Sequence, residues 1–237
     1  MPSDVKALGF DVFGTVVDWR TSIAREGEAF GREHKISGVD WLKFAVAWRS
    51  LYQPMMNKVR TGAIGWTKLD DLHRMALEQL MKEFKIEGLA EKDIDYLNRA
   101  WHRLDPWPDS VPGLTRLKSK YVLTTLSNGN VALMVNMAKR AGLPWDVILG
   151  AEPTRHYKPH PQSYLGTAEY LGIRPNELML VAAHNGDLKA AQGVGLRTAF
   201  VPRPNEHGPG QTKDLEPDGK WDVVATDFLD LAKKMGC

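Results

Sequence analysis

The sequence predicts an α/β fold, in which helices cover a parallel sheet and a helical domain is inserted after the first strand. Short apolar runs alternate with longer amphipathic stretches, and one long interval has helical periodicity alone. Because the runs are apolar almost throughout, they are typical of strands buried on both faces. The predicted strands, in chain order, are Val5–Phe10, Tyr121–Leu126, Asp146–Gly150, Leu178–Ala183, Arg197–Val201 and a shorter run, Asp222–Ala225.

Three helices are predicted between the later strands, and each is followed by a glycine. A glycine just past the last turn is a common way for a helix to end. The stretch Pro202–Gly219 is rich in glycine and proline and is predicted to be a surface loop. The predicted helices are Asn130–Ala141 before Gly142, Gln162–Leu171 before Gly172, and Leu188–Val194 before Gly195.

The interval from residue 19 to about residue 107 shows helical periodicity and no convincing strand. Six of the eight tryptophans lie in it, which indicates helices with apolar faces rather than a loop. It ends at Pro106–Trp107–Pro108, a sequence that breaks helices. We therefore expect an α/β core of residues 1–17 and 109–237, with a helical domain of residues 18–108 inserted into it.

Composition excludes several classes of protein. The chain has 237 residues, of which 43% are hydrophobic, and a single cysteine, Cys237, which is expected to be exposed. Neither a disordered chain nor a disulfide scaffold is therefore expected. A net charge of +2 without a basic run predicts no nucleic-acid partner. The N-terminal sequence resembles neither a signal peptide nor a membrane span. We expect a cytoplasmic protein with no membrane partner.

Polar residues follow the predicted strands where each strand ends. In open parallel sheets, ligands and reactive groups gather at the carboxyl ends of the strands. A carboxylate, hydroxyl groups, an amide, a lysine and a second carboxylate are therefore expected along one edge of the sheet. These residues are Asp11 and Thr15 after the first strand, Ser127 and Asn128 after the second, Lys158 in the loop after the third, and His184 and Asp187 after the fourth.

This set resembles the four motifs of the haloacid dehalogenase superfamily. Asp11-x-Phe13-Gly14-Thr15 is similar to the nucleophile motif, and Ser127-Asn128-Gly129 to the second motif. Lys158 and Asp187 correspond to the third and fourth. The helical insertion directly after the first motif is similar to a cap domain of that superfamily. The resemblance implies a Rossmann-type core with a helical cap.

Two positions separate the branches of this superfamily. Its phosphatases carry a second aspartate two residues after the nucleophile, where this chain has Phe13, which cannot protonate a leaving alkoxide. They also hold Mg²⁺ with a carboxylate in a V-G-D-like pattern, where this chain has Val181-Ala182-Ala183. Mg²⁺ binds oxygen ligands, and phosphoryl transfer depends on its charge. We therefore expect no metal and no other cofactor.

The resemblance to the 2-haloacid dehalogenase branch implies a halide pocket. A halide leaves as a stable anion and needs a cation or hydrogen-bond donor rather than a general acid. That branch supplies an arginine from the first helices of its cap, and Trp48-Arg49 lies at the corresponding place, so Arg49 is the expected halide partner. Asn128 is expected to donate a second hydrogen bond to the halide.

The same resemblance implies hydrolytic dehalogenation of short 2-haloacids to 2-hydroxy acids. Asp11 attacks C2 of the substrate and forms an aspartyl ester, which water then hydrolyses. Lys158 keeps Asp11 ionised, because a nearby opposite charge lowers the pKa of a carboxyl group. Thr15 and Ser127 are expected to bind the nucleophile or the substrate carboxylate. Asp187 is expected to orient Lys158 and to help activate water.

The chain also departs from the dehalogenase pattern. Phe13 stands where these enzymes often have tyrosine, and Ala182-Ala183-His184 where they have a Ser-Ser-Asn-like stretch. His184 has an ordinary pKa of about 6.5, so we consider it as the base for ester hydrolysis or as a structural hydrogen-bonding residue. Tyr164, six residues after Lys158, matches a position near the family's site. Phe13, with Trp19 or Trp48, is expected to line an apolar pocket.

Two alternatives stay open from the sequence. One is a phosphatase or phosphonatase on the same scaffold, which EDTA-sensitive hydrolysis of p-nitrophenyl phosphate would identify. The other is a catalytically silent protein that binds a metabolite or a protein. Saturable binding without turnover on haloacids would identify the second. Relatives often dimerise, so a homodimer is a further possibility that the sequence leaves open.

Overall fold

The strands of the computed structural model, which describes residues 4–237, lie close to the predicted runs. In chain order they are β1 (Ala7–Phe10), β2 (Val17–Asp18), β3 (Asp105–Pro106), β4 (Val122–Ser127), β5 (Val147–Gly150), β6 (Leu178–Ala182), β7 (Arg197–Phe200) and β8 (Val223–Val224). Six of them form a parallel sheet in the order β5-β4-β1-β6-β7-β8. The six predicted strands are these six, with ends shifted by one or two residues, and the α/β fold class is confirmed.

The helices cover the sheet and fill the inserted interval. They are α1 (Trp19–Glu33), α2 (Trp41–Ser50), α3 (Tyr52–Arg60), α4 (Leu69–Glu83), α5 (Glu91–Asn98), α6 (Ser110–Lys118), α7 (Val131–Ala141), α8 (Ala151–Thr154), α9 (Pro161–Tyr170), α10 (Asn185–Gly193) and α11 (Phe228–Lys234). Short 3₁₀ helices occupy Arg99–Arg103 and Pro175–Glu177. Gly142 ends α7 with a φ of 69°, a left-handed conformation that glycine adopts without steric cost. No helix within residues 4–237 is both long and apolar enough to span a membrane.

The register of the central strands positions the site. Every residue of β1 is buried, because β1 lies between β4 and β6 in the middle of the sheet. Ala7 is paired with both Val122 and Leu178, so the three strands start at one level. Their carboxyl ends therefore meet at one edge, where Asp11 follows β1. The loops after β4 and β6 reach the same edge.

The inserted interval begins and ends at a two-stranded antiparallel pair. Val17 in β2 pairs with Pro106 in β3, and Asp18 pairs with Asp105. The prediction of no strand between residues 19 and 107 was wrong at β3, because a two-residue strand is too short to produce a period-two pattern. We call residues 19–103, which lie between these strands, the helical segment. The division into a core and a cap at residues 18 and 108 stays a prediction.

Two other sequence predictions need correction. The stretch Pro202–Gly219 forms no regular helix or strand, but it is not only a surface loop, because Arg203 and Glu206 are buried. Arg203 donates to both carboxylate oxygens of Asp109 and, through Nε, to the Thr15 carbonyl. These bonds fix the loop against the sheet. Cys237, expected to be exposed, is partly buried.

Candidate active site

Asp11 lies at the centre of a buried hydrogen-bond cluster. Its Oδ1 accepts from Lys158 Nζ at 2.9 Å, and its Oδ2 accepts from Thr15 Oγ1 at 2.7 Å. His184 Nδ1 lies 3.0 Å from the same Oδ2. Burial would raise the pKa of Asp11, but the Lys158 charge and the bonds from His184 and Thr15 hold it well below its usual range. The carboxylate is therefore ionised and held in a fixed orientation.

Lys158 links the two carboxylates of the site. Its Nζ donates to Asp11 and also to Asp187 Oδ2, whose other oxygen accepts from Tyr164 Oη at 2.6 Å. Burial would lower the pKa of Lys158, but the charges of Asp11 and Asp187 raise it above its usual range. Asn128 Oδ1 accepts from the Lys158 backbone amide at 2.8 Å and so fixes the loop that carries the lysine.

Glu206 is a site residue that the sequence analysis did not predict. Its Oε2 lies 2.8 Å from His184 Nε2, and its Oε1 accepts from Trp19 Nε1 at 3.0 Å. Gly14 makes room for it, because a Cβ there would lie 2.0 Å from Glu206 Oε1. Glu206 lies in the loop after β7, so the rule that located the other polar residues at strand ends also applied to it.

His184 therefore lies between two carboxylates, those of Asp11 and Glu206. Burial would lower its pKa, but the charge of Glu206 and the hydrogen bonds that His184 donates to both acids raise it well above 6.5. The imidazole is consequently charged at neutral pH. Because His184 follows β6, its contact with Asp11 places the carboxyl end of β6 beside Asp11, as the strand register predicts.

Arg49 lies in α2 within a set of aromatic rings. Its Cζ is 4.2 Å from the ring centroid of Tyr52, 5.4 Å from that of Trp19 and 5.9 Å from that of Phe13. Its Nη1 is buried without a hydrogen-bond partner in residues 4–237. Aromatic faces attract a cation but leave its N–H groups unbonded. Arg49 thus presents a positive charge with free donors.

One cavity of about 700 Å³ connects these groups. Trp19 also lines it. Trp48 is buried outside the lining and packs edge-to-face against Trp101. Thr15 and Ser127 are fully buried and lie outside the lining. The predicted site residues that line the cavity are Asp11, Phe13, Arg49, Asn128, Lys158, Tyr164, His184 and Asp187.

The two buried hydroxyl groups have separate partners. Thr15 Oγ1 donates to Asp11 and accepts from the Ala183 amide at 2.9 Å, so it joins the ends of β1 and β6. Ser127 Oγ accepts from the Gly129 amide at 3.1 Å. Thr15 therefore binds the expected nucleophile, whereas Ser127 shapes the turn that carries Asn128. For Ser127, direct contact with Asp11 or with a substrate carboxylate stays a prediction.

Comparison with known proteins agrees with this geometry. The sequence model of a family described as haloacid dehalogenase-like hydrolase matches residues 5–195. The chain belongs to this hydrolase family. The chain is 28% identical over 206 residues to (S)-2-haloacid dehalogenase 4A of Burkholderia cepacia, which covers 86% of this chain and 85% of the relative.

Two solved structures extend the comparison within the haloacid dehalogenase-like hydrolases. The defluorinating L-2-haloacid dehalogenase Rha0230 is 52% identical, with a TM-score of 0.96 over 98% of this chain and 96% of that chain. The L-2-haloacid dehalogenase PA0810 is 47% identical, with a TM-score of 0.93 over 98% of this chain and 100% of that chain. The family resemblance predicted from the four motifs is confirmed.

The protein YfnB from Bacillus subtilis, which shares the fold at 15% identity and a TM-score of 0.73, was solved with magnesium bound. The residues of the present site do not provide the ligands that a divalent cation requires. Phe13 and Ala183 offer no side-chain oxygen, and both oxygens of Asp187 already accept hydrogen bonds. The ammonium group of Lys158 lies between the two aspartates. A hard cation requires several oxygen ligands. The donor set therefore does not fit magnesium.

Proposed function

We propose that this hydrolase cleaves the carbon–halogen bond of short 2-haloacids and releases 2-hydroxy acids through an ester of Asp11. Two similar structures, at 52% and 47% identity over nearly the whole chain, are L-2-haloacid dehalogenases. The reaction needs an ionised carboxylate, a group that accepts the halide and a way to activate water. The cavity contains residues suited to each of these tasks.

The observation that carries the proposal is the Arg49 guanidinium. It lines the same cavity as Asp11, and its Nη1 is buried without a hydrogen-bond partner among the described residues. The charge of Arg49 helps to lower the pKa of Glu206, but within residues 4–237 no carboxylate forms a salt bridge with Arg49. A partly buried charge without a salt bridge is costly unless a ligand supplies the opposite charge. A departing halide supplies that charge in the transition state, where stabilisation accelerates the reaction.

In the first step, a carboxylate oxygen of Asp11 forms a bond to C2 of the substrate. The carbon–halogen bond breaks, and the halide leaves with the bonding electron pair towards Arg49. Asn128 is the second halide donor that we propose, because its Oδ1 already accepts from the Lys158 amide, and its Nδ2 has a second N–H group besides the one that faces Tyr52. Phe13 lines the apolar part of the cavity near the reacting carbon.

In the second step, water attacks the carbonyl carbon of the Asp11 ester. Esterification removes the negative charge of Asp11, so His184 loses one of the two acids that raise its pKa. His184 Nδ1 then releases its proton to solvent and, as a neutral imidazole, accepts one from the attacking water, while Nε2–H donates to Glu206. The bond between the carbonyl carbon and the alkoxide oxygen breaks, Asp11 is restored as a carboxylate, and the alkoxide takes the proton that His184 accepted and leaves as the 2-hydroxy acid.

The other predicted residues hold the nucleophile. Lys158 keeps Asp11 ionised, Asp187 orients Lys158, and Tyr164 fixes Asp187 through a 2.6 Å hydrogen bond. Thr15 holds the second oxygen of Asp11. We assign a positioning role to these four residues, since each acts through Asp11 or through a partner of Asp11.

The two alternatives have less support. Phosphoryl transfer would require a proton donor at Phe13 and a metal ligand near Ala183, and neither side chain can serve. A silent binding protein would have no need for the full set of Asp11, Lys158 and Asp187 in hydrogen-bonding contact. The small-molecule partner that we propose is the haloacid. A cytoplasmic location and a homodimer stay predictions.

A halide-release assay tests the proposal. The panel contains fluoro-, chloro- and bromoacetate and both enantiomers of 2-chloropropionate, each with and without EDTA. We expect halide release that EDTA does not reduce. Absence of halide release from every compound, or hydrolysis of p-nitrophenyl phosphate that EDTA abolishes, would contradict it.

A further inference from the structure

A second guanidinium group lines the cavity and has no role in the reaction described above. Arg60 is the last residue of α3. Its Nη1 donates to Gln53 Oε1 at 3.0 Å and to Asn57 Oδ1 at 2.7 Å, and its Nη2 donates to the Lys158 carbonyl. All three acceptors are uncharged. Within residues 4–237, Arg60 forms no salt bridge with a carboxylate.

The burial of Arg60 makes this arrangement unusual. The residue is half-buried, and its Nε is buried without a hydrogen-bond partner in the described part of the chain. Burial lowers the pKa of Arg60, although an arginine stays charged at every physiological pH. A partly desolvated charge without a counter-ion is costly, and a bound anion would remove that cost.

Apart from His207, the lining of the cavity has one more cation than acid. The acids of its lining are Asp11, Asp187 and Glu206. The cations are Lys158, His184, Arg49 and Arg60, with His184 charged because of its raised pKa. A haloacid carries a single negative charge on its carboxylate, so one bound substrate neutralises the excess.

Arg49 and Arg60, neither of which forms a salt bridge with a carboxylate in residues 4–237, contact different parts of the site. Arg49 packs on Trp19 and Phe13, whereas Arg60 contacts the backbone carbonyl of Lys158. A haloacid also has two poles, the halogen and the carboxylate. Because Arg49 is the proposed halide partner, the carboxylate still needs a cation. Thr15 and Ser127, the expected candidates for this contact, lie outside the cavity lining.

We propose that Arg60 binds the carboxylate of the haloacid and thereby selects acids over uncharged α-halo compounds. This inference rests on the proposed function. Gln53, Asn57 and the Lys158 carbonyl hold the guanidinium in one orientation and use both N–H groups of Nη1 and one of Nη2. The second Nη2–H lies near Met56 Sδ, a weak acceptor at 3.9 Å, so it is the donor that a substrate carboxylate would take in a charge-assisted hydrogen bond.

The test compares Arg60→Met with the parent and with Lys58→Met. Lys58 is exposed on the same helix and lies outside the cavity lining, so its loss controls for the general effect of one positive charge. For Arg60→Met we expect the KM for chloroacetate to rise by about tenfold to a hundredfold, since a charge-assisted hydrogen bond is lost. We expect kcat to change by less than about threefold, and Arg60→Lys to recover part of the KM.

Binding of unreactive anions separates this inference from the proposed function. Acetate mimics the carboxylate and bromide mimics the leaving group, and calorimetry measures both without turnover. Arg60→Met should weaken acetate binding by the same factor as the KM and leave bromide binding unchanged, with circular dichroism verifying the fold. Unchanged acetate affinity would overturn the inference, as would a fall in kcat alone, which would assign Arg60 to holding the Lys158 loop. Absence of turnover in the parent would instead overturn the proposed function.

Discussion

Among single residues, Arg49 has the most specific proposed task, which is to receive the halide as the carbon–halogen bond breaks. For Arg49→Met we expect kcat for chloroacetate to fall by about 10²- to 10³-fold, since a donor to the developing charge is removed while the apolar stem is kept. Steady-state halide release measures this decrease in kcat.

Lys43→Met is the matched control for Arg49. Lys43 is exposed on the same helix and lies outside the lining of the active-site cavity. Its loss should leave kcat unchanged. If Arg49→Met released halide as fast as the parent, another cation would serve the leaving group, and Arg60 would be the next residue to examine.

In the proposed mechanism Glu206 and His184 act after the halide has left, so their loss should separate the two chemical steps. In Glu206→Gln the acceptor for His184 Nε2 loses its charge, which weakens His184 as a base. We expect a burst of about one halide per enzyme molecule followed by slow turnover. Rapid-quench measurement of halide shows it. Uniformly slower halide release without a burst would indicate that Glu206 contributes to the first step or to folding.

The sequence predicted the nucleophile cluster but not all of its partners. Asp11, Lys158 and Asp187 follow strands whose apolar pattern is unmistakable, so their convergence could be anticipated. Glu206 follows β7 as the other polar residues follow their strands, but it lies six residues beyond the strand in a loop rich in glycine and proline, and its burial against Gly14 and His184 identifies it as a site residue. Arg60 contacts Lys158, which is 98 residues away in the chain, and no local sequence pattern predicts such a contact.

At the level of secondary-structure elements, close packing of α1 on α2 depends on Gly27. A Cβ at this position would lie 2.3 Å from an atom of the Trp41 ring, which also packs edge-to-face against Phe44 at a centroid distance of 5.2 Å. Overpacking costs about 1–3 kcal/mol, whereas alanine gains about 1 kcal/mol over glycine in a helix. For Gly27→Ala we expect a net loss of about 1 kcal/mol in urea unfolding.

Gly193→Ala is the control for this substitution. Gly193 is the last residue of α10, and a Cβ there would meet no atom within 4 Å. The same chemical change should therefore leave the free energy of unfolding unchanged or raise it by up to about 1 kcal/mol. Equal effects of the two substitutions would contradict the packing argument.

Local patterns predicted the helices and strands better than their ends. α10 begins at Asn185, three residues before the predicted start at Leu188, because the apolar pattern becomes visible only after the polar first turn that carries Asp187. The sequence did not predict β3, because its two residues pair only with β2. The paired residues Asp18 and Asp105 are 87 residues apart in the chain. Tertiary pairing, rather than local sequence, determines such short strands.

For the whole molecule, the charged His184 couples stability to pH. Its pKa in the folded protein is raised well above 6.5, so its stabilising contribution is complete below about pH 6.5 and is lost as pH rises through the folded value. Asp11 stays ionised throughout this range because its pKa is lowered. We expect the difference in unfolding free energy between the parent and His184→Gln to shrink from pH 6 to pH 10. A difference independent of pH would contradict it.

The covalent role of Asp11 is tested most directly by isotope transfer in a single turnover. Excess enzyme reacts with chloroacetate in H₂¹⁸O, and mass spectrometry then locates the label. Because water attacks the carbonyl carbon of the ester, the first turnover should place ¹⁸O in the peptide that contains Asp11 and leave the glycolate unlabelled. Appearance of ¹⁸O in the glycolate on the first turnover would mean that water attacks the substrate directly, and the proposed mechanism would be wrong.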